Sequence, residues 1–173
     1  MSEKHWWTNY PWRMIQTNLR EIDMAEIDAE TYAQQLADYG ATVVTLNAAG
    51  IIASYQTKLE FQTQSPYLTG SSLREILDAC HKRGIRVIAR TDFSKLREDV
   101  FARHPDWAYR DKDGNIVNYN GNIQTCPSGG YQQEKSLEIL HEVLTTHPFD
   151  GVFRNMSGFL VVDYSGVYHG PCH

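Results

Sequence analysis

The sequence predicts an α/β fold in which four β/α units surround a parallel sheet. Three segments repeat the order of a helix, a glycine and an apolar strand, namely "LADYGATVVTLN", "CHKRGIRVIARTD" and "THPFDGVFRN". This alternation is typical of a parallel sheet that is covered by helices. The long connections, roughly 48–70 and 93–130, each follow a predicted strand. In parallel α/β folds that side of the sheet binds ligands.

Two of the predicted helices have well-marked ends. The first covers about Ala29 to Tyr39, with Asp28 placed to cap its free N–H groups and Gly40 placed for the left-handed turn that follows. The second begins after Ser72, which stands in capping-box spacing with Glu75. Both signals are local, so we expect these two helices to form where the sequence places them.

Two further helices are predicted from weaker patterns. One covers about Ser94 to Arg103, and the other covers about Tyr131 to Thr146. The last helix carries Leu137, Leu140 and Leu144 at helical spacing, which predicts that this stripe faces the core.

The strands and one hairpin complete the predicted fold. The segment "YRDKDGNIV" indicates a small inserted β-hairpin that turns at Asp113 and Gly114. A flavodoxin-like open sheet is the alternative fold, but no Gly-rich phosphate loop follows the first strand. The predicted parallel strands lie near Met14–Thr17, Thr42–Leu46, Ile85–Ala89 and Gly151–Phe153.

The totals of the chain restrict the class of protein. A chain of 173 residues with 42% hydrophobic content can bury one core, so we predict a single domain over residues 1–173. The net charge of −5 comes without a basic stripe, which disfavours a nucleic-acid partner. No apolar run approaches the roughly 20 residues that cross a bilayer, and the N-terminus lacks the centre of a signal peptide. We therefore expect no membrane partner and a cytoplasmic location.

The cysteines support the same expectation. Cys80, Cys126 and Cys172 are odd in number and far apart, which favours free thiols in a reducing compartment over a disulfide framework. His169, Cys172 and His173 are potential metal ligands, but a structural zinc site needs four well-placed ones. We expect neither a metal nor another cofactor.

Polar side chains follow each predicted strand of the parallel sheet. Because the carboxyl ends of parallel strands meet at one edge, we expect these side chains to converge on one mouth. The alternative is that they cap helices or bind loop backbone, since buried polar groups need partners. The residues are Gln16, Asn18, Asn47, Arg90, Asp92 and Asn155.

Aromatic residues are frequent in the same loops. A sugar ring has apolar C–H faces and a rim of hydroxyl groups, so aromatic platforms beside polar side chains suit a carbohydrate ligand. The alternative is that the tryptophans fill the bottom of the core. The aromatic residues are Trp6, Trp7, Tyr10 and Trp12 before the first strand, and Tyr164 and Tyr168 after the fourth. Tyr164 is a candidate substrate-binding residue.

Several segments together resemble a known family. "MIQTNLREID", "IRVIARTDFSK", "HPDWAYRDKDGN" and "DGVFRNMSGF", followed by "DYSGVYHGPC", resemble the N-terminal part of a bacterial family of glycosyl hydrolases with a (β/α)8 barrel. That family is distantly similar to α-L-fucosidase, α-amylase and β-galactosidase barrels. The resemblance implies a TIM-type barrel with a sugar site at its C-terminal face. A complete barrel takes about 250 residues, so we expect about half a barrel here.

The resemblance also implies which residues bind and cleave sugar. Glycoside hydrolysis generally needs two carboxyl groups. Asp92 is the first catalytic candidate and Asp163 the second. Asn155 occupies a position where many sugar-cleaving barrels have a carboxylate, but the asparagine side chain cannot ionise. The residues that the resemblance assigns to the sugar site are Asn47, Arg90, Asp92, His104, Asn155 and His169.

Two further expectations concern the fourth strand and its open edge. If Asn155 faces inward, alternation sends Arg154 toward the helix layer, where a buried arginine needs a partner. Open strand edges and an apolar inner face predict a homodimer or a higher assembly that completes the barrel.

Three functions remain open: a glycoside hydrolase or its N-terminal portion, a non-catalytic carbohydrate-binding half-barrel, and a structural fragment without a ligand.

Overall fold

We describe the chain from a computed structural model that covers residues 5–159, 161–163, 165–170 and 172. It contains seven strands and four α-helices within these residues. The strands are β1 Met14–Gln16, β2 Val43–Gly50, β3 Arg86–Asp92, β4 Lys95–Arg97, β5 Asn118–Tyr119, β6 Asn122–Gln124 and β7 Gly151–Asn155. The helices are α1 Ala29–Asp38, α2 Leu73–Lys82, α3 Glu98–Arg103 and α4 Ser136–Thr146.

The main sheet has four parallel strands in the order β1-β2-β3-β7. This order follows the chain without a reversal, whereas a flavodoxin-like sheet reverses its strand order at a switch point. The α/β fold with a parallel sheet is therefore confirmed. Within the described residues the sheet stays open, because β1 and β7 each pair on one side only.

The two helices with marked ends form as predicted. Asp28 accepts a hydrogen bond from the Thr31 N–H at the start of α1, and Ser72 and Glu75 form a complete capping box at the start of α2. Gly40 takes the predicted left-handed conformation, with φ of 74°. Both helices pack on one face of the sheet and bury a continuous apolar core with it.

The prediction of a helix over 94–103 is wrong in its first part. Residues Lys95–Arg97 form β4, and only Glu98–Arg103 are helical. These three residues form a strand instead of a helix because β6 pairs with them in a second, antiparallel sheet of order β4-β6-β5. The hairpin of β5 and β6 was not predicted, although Asn120-Gly121 is a strong turn signal between short strands.

A different hairpin, the one predicted to turn at Asp113 and Gly114, is present, since Arg110 forms an antiparallel bridge with Ile116 across that turn.

The buried face of α4 also differs from the prediction. Ser136, Ile139 and Val143 are buried, whereas Leu137 and Leu144 are 59% and 40% exposed. The helix offers two apolar stripes, and contact with the sheet selects the one that contains Ile139 and Val143. Leu137 and Leu144 therefore lie on the surface, whereas Leu140 is partly buried and packs against the core.

The expectation of three free thiols is wrong. Cys126 and Cys172 form a disulfide across 46 residues of sequence, and Cys80 is buried and free. Folding brings the two cysteines together by packing the C-terminal segment on the inserted hairpin, where the Lys112 N–H donates to the His169 carbonyl. The cysteines consequently no longer support a cytoplasmic location. Separately, no α-helix within the described residues has both the length and the apolar character needed to span a bilayer.

The disulfide predicts a specific count of thiols. The unreduced chain, denatured and treated with a thiol reagent, should react at Cys80 alone, and reduction should raise the count to three thiols. Reduction should also lower the free energy of unfolding by about 4 kcal/mol, as expected for a loop of this size. Three reactive thiols before reduction would contradict the pairing.

The close approach of β2 and β3 at the mouth requires a glycine. The register of the two strands shifts between Asn47 and Ala49, and beyond this bulge Gly50 pairs with Asp92. Gly50 has φ of 117°, and a Cβ atom added there would lie 2.0 Å from the Asp92 carbonyl oxygen. Bulges of this kind often lie next to functional sites, where they redirect side chains.

Gly50→Ala should therefore destabilise the chain by about 3 kcal/mol or more, from backbone strain and overlap with β3. Gly84→Ala is the matched control, because Gly84 also has a positive φ, of 72°, but a Cβ atom there meets nothing within 4 Å. This control should cost only about 1 kcal/mol. Urea unfolding of both variants tests the difference, and equal losses would contradict the overlap.

Candidate functional site at the mouth of the parallel sheet

Four predicted polar residues meet at the carboxyl ends of the central strands. Asn47 of β2 is in register with Arg90 of β3, and Asp92 of β3 is in register with Asn155 of β7. Because side chains alternate along a strand, Arg90 and Asp92 share one face of the sheet. Their partners across the strands share it too. The predicted convergence therefore holds for these four residues. Gln16 and Asn18 are exposed, and the Gln16 side-chain amide donates to Asn18 Oδ1 at 2.6 Å.

Hydrogen bonds fix the orientation of the Asp92 carboxylate. Its Oδ1 accepts from the Ser94 N–H at 3.0 Å and from the Ser94 hydroxyl at 2.6 Å, and its Oδ2 accepts from Asn155 Nδ2 at 2.8 Å. A carboxylate offers about four acceptor sites, so one remains for a ligand. Burial raises the pKa of the neighbouring Tyr131 hydroxyl, and the negative charge of Asp92 adds to that shift.

Arg90 has a neutral partner in place of a carboxylate. Its Nη1 donates to Asn47 Oδ1 at 3.1 Å, and Asn47 Nδ2 donates to the Leu19 carbonyl at 2.7 Å. Arg90 Nε is buried and finds no acceptor among the described residues, as is also true of Thr45 Oγ1. An unpaired buried donor costs roughly 1–3 kcal/mol unless a water or ligand satisfies it.

A small cavity joins these groups. It has a volume of about 180 Å³ and is lined by Asn47, Arg90 and Asp92 together with residues from the loops after β1 and β2. Arg90 and Asp92 face the same space without forming an ion pair with each other. The cavity consequently presents free donors on one side and a free acceptor on the other.

Glu21 is a site residue that the sequence analysis missed. It lines the same cavity from the loop after β1, and its Oε2 lies 2.5 Å from Arg97 Nη2 in an ion pair. The polar run "LREID" after the first strand was the available signal, because it lies at the carboxyl end of that strand. The lining of the cavity therefore includes a second acidic residue in addition to Asp92.

Arg154 Nη2 finds acceptors in the helix layer, whereas its Nε is buried without an acceptor among the described residues. Its Nη2 donates to the Gln132 carbonyl at 3.2 Å and to Gln132 Oε1 at 3.1 Å, and its guanidinium carbon lies 5.3 Å from the centre of the Phe93 ring. The side chain thus points toward the helix layer, as alternation predicts, while Asn155 points to the mouth.

The remaining predicted site residues lie elsewhere. His104 stacks on Trp107 with ring centres 3.9 Å apart and does not line the cavity. Asp163 and His169 pair with each other at 2.9 Å in the C-terminal segment. The hydrogen bond from His169, with the Val167 and Ser165 N–H groups, holds the pKa of Asp163 below its ordinary value. These bonds organise a local loop.

Some of these predictions concern residues beyond the described part of the chain. Tyr164 and His173 both fall there. Cys172 is bound in the disulfide, so its sulfur is not free to ligate a metal. The residues that the structure describes contain no group of three or more potential metal ligands.

The N-terminal aromatic residues lie at the opposite end of the sheet. The Arg86 guanidinium, at the start of β3, stands 5.4 Å from the Trp6 ring and 6.0 Å from the Tyr10 ring. Arg86 also pairs with Asp150, which further accepts from the Val87 N–H. These aromatics therefore lie away from the four polar residues at the mouth. Trp6 and Tyr10 are partly buried beside Arg86, whereas Trp7 and Trp12 are 52% and 49% exposed.

The fold and the mouth together define a class. Sequential parallel strands with polar side chains and a cavity at their carboxyl ends resemble the ligand-binding face of β/α enzymes with parallel sheets. A model of the family described as hypothetical glycosyl hydrolase 6 matches residues 28–156. The chain belongs to that family. No curated protein matches the sequence.

Solved structures of glycoside hydrolases share the fold. The α-L-fucosidase isoenzyme 2 of Paenibacillus thiaminolyticus is 19% identical with a TM-score of 0.68, over 85% of this chain and 24% of the fucosidase. The maltogenic α-amylase AmyB of Thermotoga neapolitana is 14% identical with a TM-score of 0.59, over 84% of this chain and 39% of the amylase.

A third similar structure contains a sugar. The GH36 α-galactosidase AgaA A355E D478A of Geobacillus stearothermophilus, in complex with stachyose, is 12% identical with a TM-score of 0.56, over 82% of this chain and 20% of the galactosidase. This chain thus spans between a fifth and two fifths of the three enzymes. At these identities the likeness shows the fold alone.

Proposed function

We propose that this chain binds one sugar unit in the cavity at the carboxyl ends of β2 and β3, as part of a glycoside hydrolase site. Asp92 and Arg90 contact the sugar hydroxyl groups, and Asp92 is the first candidate for catalysis. In this proposal the four parallel strands are about half of a (β/α)8 barrel. Membership of the glycosyl hydrolase family and the carbohydrate bound by the α-galactosidase support the choice of ligand.

One observation carries this proposal. Arg90 and Asp92 line the same cavity without forming an ion pair with each other. The cavity therefore offers hydrogen-bond donors from Arg90 and an acceptor from Asp92. A sugar hydroxyl accepts one hydrogen bond and donates another, and neighbouring hydroxyls on a ring repeat this pattern. A neutral polyol satisfies both residues, whereas an anion would be repelled by Asp92.

Hydrolysis requires a second carboxyl group, and Glu21 supplies one at this cavity. The ion pair with Arg97 fixes its orientation. Asp163, the second candidate from the sequence, forms a local loop with His169 and is a weaker candidate than Glu21. The proposed roles are therefore Asp92 and Glu21 as the carboxyl pair, with Asn47, Arg90 and Asn155 as supporting groups.

A non-catalytic sugar-binding function is the second candidate. It is favoured by the contact between Asn155 and Asp92, which lie 2.8 Å apart across the strands. A residue in that position is too close to serve as the opposite carboxyl group, because such groups stand about 5 Å or more apart in glycosidases. On this reading Asp92 recognises hydroxyl groups and performs no chemistry.

The test of function compares binding with turnover. Fucose, galactose and glucose are titrated by calorimetry, and their nitrophenyl glycosides are assayed for hydrolysis. Asp92→Asn should weaken sugar binding by roughly thirtyfold, because a charge-assisted hydrogen bond contributes about 2 kcal/mol. Asp106→Asn is the control, since Asp106 is exposed and does not line the cavity.

The outcomes separate the two functions. Hydrolysis by the unaltered chain that is lost in both Asp92→Asn and Glu21→Gln supports the hydrolase. Binding without hydrolysis, weakened by Asp92→Asn, supports the non-catalytic candidate. Absence of binding to all three sugars would overturn the proposal.

We also propose that two copies complete the barrel. The edges of β1 and β7 expose apolar side chains, with Met14 54% and Val152 42% exposed. These strands run in the same direction. A twofold axis parallel to the strands therefore places β7 of one copy beside β1 of the other, with both strands running in the same direction. The exposed backbone of each edge then finds a partner.

Light scattering during size-exclusion chromatography at micromolar concentration should give the mass of a dimer. Val152→Lys should shift the chain to a monomer, because it places a charge at the β7 edge. Val167→Lys is the matched control, since Val167 is 52% exposed in the C-terminal segment. A monomeric unaltered chain would contradict this arrangement.

A further inference from the structure

Gln132 connects the two segments that hold Asp92. It lies in the π-helical turn Tyr131–Lys135, which leads into α4, and it is only 2% exposed. Such turns occur frequently at functional sites. A buried amide keeps its donor and acceptor satisfied, so its contacts show what it positions.

The amide nitrogen of Gln132 reaches the segment after β3. Gln132 Nε2 donates to Thr125 Oγ1 at 2.8 Å, and that hydroxyl donates to the Phe93 carbonyl at 2.6 Å. The Thr125 N–H donates in turn to the Ser94 carbonyl at 2.8 Å. Ser94 supplies both hydrogen bonds to Asp92 Oδ1.

The oxygen atoms of Gln132 reach β7. Arg154 Nη2 donates to both the carbonyl and Oε1 of Gln132. Arg154 precedes Asn155, whose amide donates to Asp92 Oδ2. The two oxygens of one carboxylate are therefore held by two segments that meet at a single glutamine.

We propose that Gln132 is a positioning residue for Asp92, which it orients through Thr125 and Ser94 on one side and through Arg154 and Asn155 on the other. The importance of that orientation for sugar binding rests on the proposed function. The network itself does not, because its hydrogen bonds all join residues of the protein. Gln132 does not line the cavity.

The test measures the NMR chemical shift of the Asn155 side-chain amide, which reports on its hydrogen bond to Asp92. In a ¹⁵N-labelled chain, the side-chain amide protons of Asn155 are assigned by their loss in Asn155→Ala, and the Asp92→Asn variant defines the shift that follows when the charged acceptor is removed. Gln132→Met keeps the volume, removes the side-chain bond to Thr125 and leaves Arg154 only the main-chain carbonyl of that turn as an acceptor, so the Asn155 signal should move at least half as far as in Asp92→Asn.

Gln133→Met is the matched control. Gln133 is the next residue of the same turn, is exposed, and donates to the Pro127 carbonyl instead. Its replacement should leave the Asn155 signal in place. Should Gln132→Met fail to fold, Thr125→Val and Arg154→Met each remove one connection. An unchanged Asn155 signal in a folded Gln132→Met chain, or in both of these variants, would overturn the proposal.

Sugar affinity then separates this inference from the proposed function. Gln132→Met should weaken binding about tenfold in the unaltered chain and have little effect in an Asp92→Asn background, since interacting residues are not additive. Equal losses in both backgrounds would mean that Gln132 acts without Asp92. If no sugar binds at all, the proposed function fails while the Asn155 signal still decides the role of Gln132.

Discussion

The close parallel pairing of β3 with β2 and β7 is the constraint on which the site depends. Each polar residue at the mouth is presented by its register with a neighbouring strand, so Asn47 meets Arg90 and Asn155 meets Asp92. The glycine at position 50 permits the approach of β2, because any side chain there would overlap the β3 backbone. Loss of this pairing would separate all four residues at once.

The two ends of the sheet serve different purposes. At the amino end, Asp150 is 8% exposed at its side chain and holds Arg86 and His81, while the N-terminal aromatics cover Arg86. The charges there neutralise one another. At the carboxyl end, Arg90 and Asp92 stay unpaired with each other. Charged groups without a charged partner are costly in a protein interior, so we place the proposed ligand site at this end of the sheet.

The second layer of the site depends on distant parts of the chain. Thr125 comes from the antiparallel insertion and Gln132 from the turn before α4, yet their hydrogen bonds connect to the segment that follows Asp92. The disulfide and the pair of Asp163 with His169 organise the C-terminal segment beside that insertion. The insertion therefore joins the mouth of the sheet to the end of the described chain.

Local signals in the sequence were enough for α1, α2 and the parallel strands. Helix caps, glycines and apolar runs determine conformation over a few residues. The convergence of Asn47, Arg90, Asp92 and Asn155 follows from the geometry of parallel strands, whose carboxyl ends meet at one edge of the sheet. Other features depend on contacts between remote segments. The strand Lys95–Arg97 forms because β6 pairs with it, and the stripe of α4 is chosen by the sheet.

The sequence by itself determined the fold class, the family and the four residues at the mouth. Only the tertiary structure decided that Cys126 joins Cys172, that Glu21 enters the cavity and that His104 and Asp163 stay outside it. It also decided that Gln132 reaches both sides of Asp92. The physical reason is that spacing along a chain fixes local conformation, whereas hydrogen bonds between residues dozens of positions apart exist only after the elements have packed.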